Sequence, residues 1–160
     1  MIIPSLFVGL GTTGTDILME LRRLIFEEFG EPGLPVIKMV AIETNNNKGT
    51  TDRNINIDYN VPYHKIDMIH IGIPSTEPIK QMLEPHSPTF HPGLKDWLDP
   101  VVLQKMHYKN GAGQIRMAGR LCMWLSWDTV QKQLTNALAS LQSQENRMST
   151  VNDILAPYCT

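Results

Sequence analysis

The chain has 160 residues, 42% of them hydrophobic and 19% charged, enough for one domain with a real core and ordinary for a soluble globular protein. A net charge of -2 argues against a nucleic-acid coat or a membrane-surface patch. No run approaches the ~20 apolar residues of a membrane span.

The first segment, Ser5-Leu-Phe-Val-Gly-Leu-Gly-Thr-Thr-Gly-Thr-Asp16, reads as strand, glycine turn and helix start. Gly9, Gly11 and Gly14 let a backbone approach an anion. The amides and dipole at a helix N-terminus attract negative charge, and the hydroxyls of Thr12, Thr13 and Thr15 add donors. This is the spacing of a nucleotide or phosphate site, and a tight packing turn is its simpler reading. From Ile17 the pattern is helical to Gly30, with Ile17, Leu18, Leu21, Leu24, Ile25 and Phe29 predicted on one apolar face. Arg22 and Arg23 are expected on the solvated side beside Glu20, Glu27 and Glu28. Gly30, followed by Pro32 and Pro35, stops the helix.

Residues 36–42, Val-Ile-Lys-Met-Val-Ala-Ile, form a second strand whose nearly continuous apolar character suits burial on both faces. Strand, helix, strand makes a right-handed parallel βαβ unit. Ligands of such sheets bind beyond the carboxyl ends of the strands, so Glu43, Thr44 and Asn45 are expected beside the first glycine turn, with Glu43 able to accept from a ribose hydroxyl. Asn45 to Asn47 also suit a plain turn.

Residues 50–63 read as a loop, and 66–73 as a third strand with Ile69, Ile71 and Ile73 on one face. Ser75-Thr-Glu-Pro caps a short helix through Leu83, and Asp99-Pro100 opens another through Met106. The proline-rich stretch between them is an irregular excursion in which Trp97 and Leu98 seek burial. Five scattered histidines lack metal-ligand spacing, so no metal site is expected, and no residue is singled out as catalytic.

A second glycine stretch, Lys109 to Leu121, places Gly111, Ala112, Gly113 and Gln114 ahead of one long helix that carries Ile115, Ala118, Leu121, Cys122, Leu125, Val130, Leu134, Leu138 and Leu141 near one side. Arg116 and Arg120 lie one turn apart and can pair with phosphate oxygens, or face water or a carboxylate. Val151 to Ala156 can begin a further strand. Cys122 and Cys159 are far apart, and with no signal-peptide pattern at the start they suggest a reduced, cytoplasmic protein.

These features resemble the tubulin/FtsZ superfamily, especially its bacterial tubulin-like branch. Gly9 to Asp16 resembles the family's first nucleotide loop, and Ala41-Ile-Glu-Thr-Asn45 its second strand end, where Asn-Thr-Asp is usual. Gly111 to Arg120 resembles its third loop, Gly-Ala-Gly-Ala-Asn-Pro-Glu-Val-Gly-Arg, with matching spacing. The resemblance implies a Rossmann-like α/β three-layer sandwich with a mostly parallel sheet. Residues 1–160 would be a single domain, the truncated N-terminal part of the family's nucleotide-binding domain. It implies GTP as ligand, with Mg2+ able to accompany it. Partners would be other copies of the chain, head to tail in filaments.

Implied contacts are Gly9, Gly11, Thr12, Thr13, Gly14, Asp16, Glu43, Thr44, Asn45, Gly111, Ala112, Gly113, Gln114, Arg116 and Arg120. The family's fourth glycine loop and acidic catalytic loop have no counterpart, so hydrolysis by this chain alone is expected to be incomplete. Glu43 stands in place of the usual Asn, and Thr12-Thr13 in place of a glycine pair. A NAD-dependent Rossmann oxidoreductase is a second reading, in which Glu43 lies further from the glycines than the about 20 residues expected of the ribose acid. A non-catalytic interaction module of the same fold is the third.

Overall fold

The computed structural model describes residues 4–30, 34–45, 66–73, 75–105, 112 and 115–144. The expected glycine stretch 111–114, apart from Ala112, and the expected strand at 151–156 lie outside them.

Strand β1 (Ser5–Leu10) runs parallel to β2 (Ile37–Glu43), with Ser5 opposite Ile37 and Leu10 opposite Ile42. Between them lies α1 (Gly11–Phe29), which completes the βαβ unit. The third strand, β3 (Ile66–His70), lies beside β2, giving the order β1-β2-β3. The architecture is α/β and Rossmann-like, as expected. Period-2 alternation sends Met39, Ala41 and Glu43 to one face of β2, and Met39 through Glu43 are all buried, as a central strand requires.

Leu18, Arg22 and Ile25 fall at successive helical turns and form the buried stripe of α1. Leu18 and Ile25 pack with Leu34, Val36, Met39, Ala41 and Ile66, while Leu21 and Phe29 join from the side. Each such burial stabilises by about 1.5–3 kcal/mol before ordering entropy is subtracted. Two expectations need correction. Arg22 is 1% exposed, because its position lies on the stripe whatever its charge, whereas Ile17 and Leu24 are 62% and 49% exposed. Arg23 does face solvent, paired with Glu20 and Glu27. Gly30 ends the helix, its amide donating to the Phe26 carbonyl.

The chain divides into two compact units. The first holds residues 1–43, 48–69 and 128–160, and the second residues 44–47 and 70–127. In the second, Ile71 and Ile73 are buried directly after β3. Short helices follow: α2 (Glu77–Leu83), α3 (Pro92–Lys95) and α4 (Pro100–Lys105). Ser75 Oγ accepts from the Glu77 amide and Asp99 Oδ1 from the Val101 amide, the short-range acceptors that the sequence offers at these starts. Leu98 is buried and Trp97 half-buried.

The long helix expected after the second glycine stretch is broken. α5 (Arg116–Leu125) ends at Ser126, and α6 (Trp127–Gln144) begins at once. Ser126 leaves helical geometry (φ -103°, ψ 10°) while its amide still donates to the Cys122 carbonyl. α5 buries Ala118, Leu121 and Cys122, and α6 buries Val130, Ala137 and Leu141, so each has its own stripe; Leu125 and Leu138, expected on a shared face, are exposed.

Candidate functional site

The β1–α1 junction is tighter than a free glycine loop. The strand runs to Leu10 and the helix starts at Gly11, so Gly11, Thr12, Thr13, Gly14 and Asp16 all lie in the first turns of α1. The glycines divide the work. A Cβ on Gly9 would stand 2.6 Å from the Gly14 carbonyl oxygen, and one on Gly14 would stand 2.7 Å from the Gly9 carbonyl carbon, so the two meet backbone to backbone. Gly9 is the register partner of Ala41, and this pair of very small residues lets the helix descend onto the sheet. Gly11 makes the turn itself, at φ 65°, where an L side chain is strained. Among the described residues, no atom beyond its chain neighbours and the adjoining helix backbone lies within 4 Å of the place its Cβ would take.

This junction suits an anion. α1 has 19 residues, its N-cap is Leu10, no side chain caps it, and no acidic residue stands in its first turn. No residue of α1 itself caps or charges that positive end of the helix dipole, and the Glu43 carboxyl meets it through the Thr12 hydroxyl. Thr13 is exposed. Thr15 Oγ1 donates to the Gly11 carbonyl at 2.9 Å, and Thr12 Oγ1 donates to Glu43 Oε2 at 3.1 Å. Glu43 is 2% exposed. Within the first unit the structure thus brings together Gly9, Gly11 to Gly14 and Glu43.

In the second unit, Thr44 Oγ1 accepts from the Ala112 amide at 3.0 Å, across 68 positions of sequence. Ala112 also accepts from the Ile115 amide, which leads into α5. α5 again has no side-chain cap, and Arg116 and Arg120 are exposed on it. The guanidinium of Arg120 lies 4.2 Å from the ring centroid of Trp97, a cation–π contact of about 0.5–1 kcal/mol at an exposed site. His91 meets Trp124 edge to face at 5.1 Å. Trp97 as the partner of Arg120 was not foreseen, since nothing in a proline-rich stretch points to an arginine more than one helix away. Gly111, Gly113 and Gln114 lie outside the described residues, and Asn45 follows Thr44 half-buried.

Near Cys122, burial pushes the thiol above its ordinary range. No helix among the described residues is long and apolar enough to cross a membrane. The family model described as tubulin like matches residues 6–156. No curated protein and no solved structure matches the chain.

Proposed function

Because this chain belongs to the tubulin-like family, we infer that it binds a guanine nucleotide with the phosphates at the N-terminal end of α1, and that it self-associates head to tail. The observation that carries the reading is the β1–α1 junction: a left-handed Gly11 with open space where a side chain would stand, at the start of a long helix without a side-chain cap. Backbone amides and the helix dipole would hold the phosphates there, and the exposed Thr13 would add a hydroxyl donor. Mg2+, when bound with the nucleotide, would offset phosphate charge. No residue is assigned to catalysis.

The Thr44–Ala112 hydrogen bond and the exposed arginines of α5 support a second anion-binding segment running from Gly111 to Arg120, as the family pattern implies. Arg120, over the Trp97 ring, has less rotamer entropy left to lose on binding.

The test is competition for a bound fluorescent GTP analogue, with pelleting assays alongside. GTP should displace the analogue in preference to ATP and NAD, and the chain should pellet with GTP more than without it. Displacement by NAD alone would replace this reading with that of a dinucleotide enzyme. Nucleotide binding without pelleting would remove the self-association.

A further inference from the structure

We propose that Glu43 is a positioning residue: its buried carboxylate holds the Thr12 hydroxyl, ties the first turn of α1 to the end of β2, and leaves Thr13 as the hydroxyl that meets a phosphate. This rests on the nucleotide reading above and changes what Glu43 does in it, from a ribose acceptor to a support for the phosphate-binding turn.

The hydroxyl protons decide the point. A threonine has one to give. Thr15 gives its proton to the Gly11 carbonyl, and Thr12 gives its own to Glu43. Thr13 is the exposed member of the three. The burial of Glu43 decides the rest. With 2% of its surface exposed, its carboxylate is turned into the face of β2 that α1 covers, along with Met39 and Ala41. A buried carboxylate engaged by a hydroxyl is held in one place and can brace the turn. Both partners also stand where the sequence departs from the family pattern: Thr12 occupies a glycine position, and Glu43 an asparagine position. The two departures meet in a single hydrogen bond.

The experiment is calorimetric titration of the full chain with GTP, 2′-deoxy-GTP and 3′-deoxy-GTP. The variants are Thr12→Val, Glu43→Met, the double variant and Glu43→Gln, each checked for folding by circular dichroism. Thr12→Val and Glu43→Met should each weaken GTP about tenfold, and the double variant should be no weaker than either single one. Glu43→Gln keeps an acceptor for Thr12 and should stay within about threefold of wild type. In every variant the deoxy nucleotides should weaken by the same factor as GTP.

Losses that multiply in the double variant would overturn the proposal. So would a Glu43→Gln chain that no longer distinguishes GTP from a deoxy nucleotide, since Glu43 would then touch the ribose. Wild-type binding that none of the variants alters would overturn the positioning role alone. A wild-type chain that binds no nucleotide would overturn the nucleotide reading, and this role with it. Should Glu43→Met fail to fold, Thr12→Val and Glu43→Gln carry the same two comparisons.

Discussion

Gly9 and Gly14 touch through their backbones, and a methyl group on either would have to push a strand and a helix apart. Gly9→Ala or Gly14→Ala should cost about 1–3 kcal/mol or more in thermal unfolding. Gly11→Ala meets no neighbour among the described residues beyond its own turn and should cost the left-handed backbone strain, about 1–2 kcal/mol. The spacing of the three glycines was legible in the sequence, but their separate roles needed coordinates. The residue type of Arg22 argues for solvent, while its place between Leu18 and Ile25 argues for the core, and place prevails. The Thr12–Glu43 bond spans 31 positions and has no local signal in the sequence.

The thiol of Cys122 makes a prediction of known sign. Burial favours its neutral form and raises its pKa in the folded chain. That contribution to stability is present below the unfolded pKa and is lost as pH rises through the folded one. On a Cys159→Ser background, the melting temperature should therefore fall further for the chain with Cys122 than for its Cys122→Ala variant as pH is raised from about 8 to about 10. Equal falls would show that the thiol titrates alike in the folded and unfolded chain.

At the scale of elements, β1, α1 and β2 were readable because apolar runs, glycines and helical periodicity agreed. Within α1, however, the broad apolar face contracts to a narrower stripe. Leu18→Ala or Ile25→Ala should cost about 2–5 kcal/mol in denaturant unfolding, whereas Ile17→Ser or Leu24→Ser should change stability by no more than about 0.5 kcal/mol. Equal costs at the two sets of positions would contradict the observed face. The ion pair between Lys38 on β2 and Asp67 on β3, at 3.0 Å, is half-exposed, and Asp67→Ala should cost under about 1 kcal/mol. The break between α5 and α6 carried no sequence signal, since neither proline nor glycine stands at Ser126 and both flanks keep helical periodicity. It falls where the chain passes from the second unit to the first.

For the whole molecule, family membership, a parallel βαβ start and an anion-compatible helix terminus support one account: a tubulin-like chain whose β1–α1 junction receives the phosphates of a guanine nucleotide. The resemblance was visible in three short motifs because glycine-rich turns are constrained by backbone geometry rather than by side-chain identity. The positions where the chain departs from those motifs, Thr12 and Glu43, became meaningful only when they were found joined. The most direct measurement is calorimetric titration of the purified chain with GTP, run beside a Gly11→Val variant shown by circular dichroism to be folded. The account predicts saturable GTP binding that the variant loses. GTP binding of equal strength in both proteins, or none in a folded wild-type chain, would contradict it.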